Sequence, residues 1–196
     1  MIPLLAALVL SPPLHLTYVR HTETVANATG RYNAQTLNVF SEKGERLVAA
    51  LTPMLLKSPR PDAILVSPSP RALRTIAPYL RATGRKATVW PLLYECCTER
   101  PRKPESKSFG YGARIAIPAD LAGLFIVLPG QDRLPAPRDY GEGLAQVRKA
   151  VAGFRSRFKT GRVMLVGHSA MGGQFLKALI GRSIRVENAK PIDLDL

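Results

Sequence analysis

The apolar run VMLVG at 163–167 is the feature that most constrains this chain, because its neighbours fix what kind of strand it is. Leu144, Val147, Val151, Phe154 and Phe158 precede it at steps of three and four, the spacing of an amphipathic helix. A second helix is expected from about Met171 to Ile180, with Gly181 placed to end it. The same alternation runs through the earlier chain. LHLTYVR at 14–20, AILVS at 63–67 and Ala87 to Trp90 read as strands. Leu47, Ala50, Leu51, Met54 and Leu55 read as a helix with Ser41 as its cap. Leu73, Ile76, Ala77 and Leu80 read as another, with a kink expected at Pro78. Short buried strands alternating with helices imply a mostly parallel central sheet covered on both faces, an α/β fold of the three-layer α/β/α kind. Ligands of such sheets bind at the carboxyl ends of the strands.

With 196 residues the chain suits one domain, expected over 14–196. Residues 1–13 read as an apolar N-terminal extension or a weak export signal. MIPLLAALVL has the length of a signal's apolar region but no basic residue before it, and it is too short to span a bilayer. The compartment reading leans to the cytoplasm over export. Residues from about 98 to 140 form an irregular insert rich in Pro, Gly and basic residues, a length that is usually functional. Cys96 and Cys97 are adjacent and have no other cysteine to pair with, so two buried thiols are expected. The formal charge of +14 draws anions toward any concave site.

Three histidines are present: His15, His21 and His168. His15 lies inside the first strand and reads as structural. His21 follows that strand directly, after Arg20, and His168 follows VMLVG. If those strands are neighbours, both imidazoles meet at one site. A neutral imidazole can attack phosphorus, and arginine forks fit phosphoryl oxygens. Arg20 and Arg71, the latter just beyond the AILVS strand, are candidates for that clamp.

These residues carry a resemblance. TYVRHTETVANATGRYN is similar to the opening motif of the histidine phosphatase superfamily, the phosphoglycerate mutase-like proteins. Arg20, His21, Glu23, Thr24 and Asn27 fit it, with Thr22 where glycine is usual. SPSPRALRTIAPYL resembles the family's Ser-x-x-x-Arg-Ala-x-x-Thr block through Ser67, Arg71, Ala72 and Thr75. Leu93-Tyr94-Glu95 looks like its Leu-x-Glu, and VMLVGHSAMGG like its final strand-Gly-His block. The blocks span most of residues 14–181 in the family's order. The resemblance implies a phosphatase that hydrolyses a phosphate monoester through a phosphohistidine on His21. It implies that Arg20, Arg71 and His168 bind the phosphoryl oxygens, with Asn27 and Ser169 as further substrate contacts. Glu95 would protonate the leaving oxygen and then help deprotonate water; Glu99 or Glu142 could take that part instead. No metal or cofactor is required, since arginines and histidines supply the positive charge.

Three other readings compete with this one. Gly167-His168-Ser169 resembles the serine turn of α/β-hydrolases, but that turn needs glycine two residues after the serine, and no histidine follows to complete a triad. A mutase on the same site would need the insert as a lid against water. A basic phosphate-binding protein without catalysis is suggested by Arg100, Arg102, Lys103 and Lys107. That cluster lacks the aromatic interleaving of a nucleic-acid module, so the expected partner is a small anionic phosphorylated substrate and no specific nucleic acid. The oligomeric state is open.

Overall fold

Alternate residues of the strand runs face opposite ways, so each apolar run needs cover on two sides. The computed structural model, which describes residues 13–97 and 109–196, supplies it. The expected strands form β1 (Leu14–Arg20), β2 (Ala63–Val66), β3 (Ala87–Val89) and β5 (Gly161–Gly167). With β4 (Phe125–Val127) and β6 (Pro191–Asp195) they make one sheet in the order β4-β3-β2-β5-β1-β6. All neighbours are parallel except β6, which runs antiparallel to β1.

Leu14, Leu16, Tyr18, Leu65, Val163 and Leu165 point to one face. There they pack on α4 (Tyr140–Arg157) and α5 (Ser169–Ile180) through residues such as Val147, Phe154, Phe175 and Leu176. Val19, Ile64, Val66, Met164 and Val166 point to the other face, against α2 (Glu42–Lys57) and α3 (Pro70–Thr83). The fold is therefore an α/β/α three-layer sandwich. Each large apolar side chain buried this way stabilises it by about 1.5–3 kcal/mol.

Local chemistry sets the helix ends. Ser41 caps α2 by accepting from the Gly44 amide, with Glu42 and Glu45 in the first turn and Lys57 in the last, as the helix dipole favours. Ser69 caps α3 ahead of Pro70, and Gly84 ends it at φ 65°. The helix runs unbroken through Pro78, where a kink was expected. Asp139 caps α4, so that helix starts a turn before Leu144. Gly181 ends α5 at φ 78°, as its position in the sequence implied. A short helix, α1 (Val25–Thr29), lies between β1 and α2.

One expectation is corrected. Cys96 and Cys97 are joined in a disulfide rather than standing as separate thiols. Cys97 takes a left-handed φ of 66°, which turns the chain so that adjacent sulfurs can meet. Gly143 of α4 makes room for that turn: a Cβ there would press on the Cys97 backbone and sulfur. His15 is structural, but it has acidic partners that its own strand does not reveal. Asp195 and Asp193 of β6 reach its ring at 2.8 and 3.3 Å.

The apolar residues 1–12, Glu99, and the cluster Arg100, Arg102, Lys103 and Lys107 lie outside the described residues. The described part of the 98–140 segment carries a 3-10 turn (Ala119–Leu121) and β4, so it is less irregular than its composition suggests. Among the described residues, no helix is long and apolar enough to cross a membrane.

Candidate active site

The sheet order brings β2, β5 and β1 side by side, so three functional segments leave the sheet together. Arg20 is level with Gly167, and Val66 with Val166. His21, His168 and Ser67 each follow their strand at the same height. The His21 amide donates to Gly167 O (2.9 Å) and the Ser67 amide to Val166 O (2.8 Å), extending the ladder one step beyond the strands. Arg71 projects from the first turn of α3 into this space.

Arg71 joins the two imidazoles. Its Nε donates to His21 Nε2 (3.3 Å) and its Nη2 lies 3.2 Å from His168 Nδ1. Guanidinium can only donate, so both ring nitrogens must accept. That fixes the tautomers. His21 carries its proton on Nδ1 and donates it to Thr22 O (2.7 Å), leaving the Nε2 lone pair toward the pocket. His168 carries its proton on Nε2 and donates it to Ser67 Oγ (2.7 Å). The ring centroids are 5.1 Å apart. Arg71 Nη1 donates to Asn38 Oδ1 (3.3 Å).

All three groups are withdrawn from solvent: His21 is 3%, Arg71 3% and His168 0% exposed. Burial first, and the Arg71 charge second, hold both imidazoles well below the ordinary histidine value. They are neutral at physiological pH. The guanidinium stays charged in this setting, since arginine keeps its proton in proteins. These three hydrogen-bond partners are neutral, so among the described residues no carboxylate is bonded to this buried cation. Burying a charge in this way is costly, and a dianion entering the site relieves the cost.

The remaining predicted residues divide. Glu95 is half-buried at the start of the turn that holds the disulfide. Its Oε1 accepts from the amides of Met171 (2.9 Å) and Cys96 (3.2 Å). Desolvation raises its pKa, and those two bonds with Arg71 and Arg20 only partly oppose the rise. Arg20 donates from Nη1 to Val186 O (3.2 Å), and its Nε is buried without a partner among the described residues. Its charge acts on both imidazoles and on Glu95. Asn27 is spent locally. Its Oδ1 accepts from the Thr24 amide and hydroxyl at 3.1 Å each, closing the capping box of α1, and its Nδ2 donates to Tyr32 Oη. Ser169 opens α5 beside His168, outside the hydrogen bonds that join Arg71, Ser67 and the imidazoles. Glu142 accepts from the Arg138 amide and guanidinium.

Four residues complete the site that sequence reasoning did not assign to it. Ser67 holds His168; its signals were a hydroxyl at the end of an apolar strand and the first place in the Ser-x-x-x-Arg-Ala-x-x-Thr block. Tyr18, buried under the sheet, accepts from the His168 amide and donates to the His168 carbonyl, both at 2.9 Å. Gly167 and Gly172 leave the space its phenol fills. Asn188 donates to His21 O (2.9 Å), and Thr75 accepts from the Thr22 amide (3.0 Å). Thr22, in the place where glycine is usual, is buried and donates its hydroxyl to Gly44 O (2.7 Å). Among the described residues, no group of three or more His, Cys, Asp or Glu side chains is placed to hold a metal ion.

Comparison with known proteins places this geometry. The profile of the histidine phosphatase superfamily (branch 1) matches residues 16–194. No curated protein matches the chain. Several solved structures share its fold. The alpha-ribazole phosphatase from Shigella flexneri is similar at 18% identity and a TM-score of 0.62, covering 93% of this chain and 90% of that one. A mycobacterial glucosyl-3-phosphoglycerate phosphatase solved with VO3 is similar at 19% identity and a TM-score of 0.58, covering 92% of each. The phosphoserine phosphatase from Entamoeba histolytica, solved with 3-phosphoglyceric acid, is similar at 14% identity and 0.56, covering 92% of this chain and 89% of that one.

Proposed function

This chain belongs to the histidine phosphatase superfamily, branch 1, and from that premise we propose that it hydrolyses a phosphate monoester through a phosphohistidine on His21. The observation that carries the reading is the buried Arg71 guanidinium, which spans the two neutral imidazoles with no carboxylate among the described residues bonded to it. A phosphoryl dianion is the partner that geometry lacks. With the proton fixed on Nδ1, His21 Nε2 is free to attack phosphorus once the substrate displaces its bond from Arg71.

The reaction divides into two displacements. In the first, the Nε2–P bond forms and the bond from phosphorus to the ester oxygen breaks. Arg71 and Arg20 face the equatorial oxygens, where charge accumulates, and His168 donates to them once a proton carried in by the phosphate passes to its Nδ1. Glu95, whose raised pKa keeps it protonated beyond the ordinary carboxyl range, gives its proton to the leaving oxygen. In the second, Glu95 takes a proton from water, the water oxygen bonds to phosphorus, and the Nε2–P bond breaks. Inorganic phosphate leaves and the enzyme returns to its starting state.

The test is hydrolysis of an aryl phosphate by wild type and by His21→Ala, with EDTA present, together with acid-quench and base-quench trapping of labelled protein. Turnover that survives chelation, is lost in His21→Ala and passes through an acid-labile, base-stable phosphoprotein is the expected result. A phosphoprotein that discharges only onto an added alcohol would identify a mutase instead. Turnover retained by His21→Ala would overturn the reading.

A further inference from the structure

Phosphoryl transfer at His21 uses none of the aromatic rings gathered around Arg71. The guanidinium carbon lies 5.7 Å from the Phe109 centroid. Phe109 stacks with Tyr111, their centroids 5.7 Å apart and their planes 13° from parallel. Tyr94 meets Tyr111 edge-on at 5.7 Å and His168 at 5.9 Å. Tyr32, bonded to Asn27, is also within electrostatic reach of Arg71. The phenol hydroxyls face backbone, not the site: Tyr94 Oη donates to Phe109 O, and Tyr111 Oη donates to Glu95 O.

The position of this wall matters. Tyr94 precedes Glu95, and Tyr111 is bonded to the Glu95 carbonyl. The ester oxygen must face the Glu95 carboxyl to be protonated, so whatever it carries emerges beside these rings. The cations acting on His21, His168 and Glu95 are Arg71 and Arg20, and the phosphoryl group occupies both. A flat, uncharged ring gains a stacking surface.

We infer that the site takes phosphate monoesters whose leaving group carries an aromatic ring within a bond or two of the ester oxygen, aryl or arylmethyl phosphates, with that ring against Phe109 and Tyr111. The inference rests on the phosphomonoesterase reading of the site, and its test separates the two. Benzylphosphonate and cyclohexylmethylphosphonate have the same reach and no scissile ester bond, so leaving-group lability plays no part. Calorimetric titration of the wild type is expected to give a Kd about fivefold lower for the aromatic ligand, the size of one ring–ring contact. Phe109→Leu and, separately, Tyr111→Leu should bring the two ligands within about twofold of each other, by the same measure. Equal affinities in the wild type, or a preference that survives both substitutions, would overturn the inference. Hydrolysis of benzyl phosphate and glycerol phosphate is followed alongside. Aromatic preference without turnover of any ester supports the binding site and sinks the phosphomonoesterase reading. Turnover without aromatic preference does the reverse.

Discussion

Acid should unfold this protein earlier than its carboxylates alone would predict, and the reason is the pair of imidazoles in the site. His21 and His168 are held well below the ordinary histidine value by burial and by Arg71. In the unfolded chain both return to about 6.5. Below that pH the unfolded state binds protons that the folded state refuses. Stability is intact above 6.5 and falls by about 1.4 kcal/mol per pH unit for each histidine as pH drops. At pH 5 the loss is at most about 2 kcal/mol per histidine, or about 4 for the two. Glu95 opposes it. Its raised pKa means that the folded state keeps a proton which the unfolded state releases above the ordinary carboxyl value. That contribution is lost as pH rises and recovered as pH falls, and it offsets at most one histidine. The net expectation is a loss of up to about 4 kcal/mol between pH 7.5 and pH 5, a large share of a domain's stability. Urea unfolding at several pH values, followed by the fluorescence of Trp90, measures it; this is the chain's single tryptophan and it is 4% exposed. Glu95→Gln removes the opposing proton and should steepen the loss toward the two-histidine value. Unfolding free energies that stay level from pH 7.5 to 5 would refute the argument that both rings are buried neutral.

Further outcomes follow from the same contacts. Tyr18→Phe strips the hydroxyl from the His168 amide and carbonyl; kcat should fall about tenfold with KM little changed, and stability should drop by about 1–3 kcal/mol, read by steady-state kinetics and urea midpoints. Glu95→Gln should lower kcat about 100-fold or more on alkyl phosphates and far less on p-nitrophenyl phosphate, whose leaving group needs no proton, and the alkaline limb of the pH–rate profile should vanish with the carboxyl. Gly172→Ala would drive a Cβ into the Tyr18 phenol and should cost about 1–3 kcal/mol of stability, with activity falling in step as His168 shifts.

β2 and β5 were legible as buried apolar runs, and β1 as a β-rich run just after two prolines. β4 and β6 were not read as strands; β4 lies in the apolar run Leu121 to Leu128, inside the segment read as irregular. Each is half-exposed at a sheet edge, and PIDLD at 191–195 becomes a strand by pairing with β1 rather than through its own composition. His21, His168 and Arg71 were legible because a residue at a strand's carboxyl end has one place to be. Asn27 shows where that logic stops. A short amide beside a helix start finds a local backbone partner, and here the capping box claims it. Cys96 and Cys97 show the same limit, since their pairing depends on a left-handed residue and on the space left by Gly143, far along the chain. The contacts between Ser67 and His168 and between Tyr18 and His168 join residues 101 and 150 positions apart, beyond the reach of any local pattern.

One physical cause links the fold to the proposed chemistry. The sheet register sets His21 and His168 just beyond adjacent strands, under helices that exclude water. Exclusion of water keeps both rings neutral, which is what a nitrogen nucleophile needs. It also leaves the Arg71 charge poorly solvated, which makes the empty site costly and a bound dianion favourable. Tyr18 and Ser67 keep the arrangement from relaxing, by fixing the His168 backbone and its Nε2 proton. Loosening either would let water reach Arg71, and the same change that eased the buried charge would weaken phosphate binding. In this site the stability lost to burial and the affinity for phosphate therefore come from one source, so a substitution that relieves the first is expected to reduce the second.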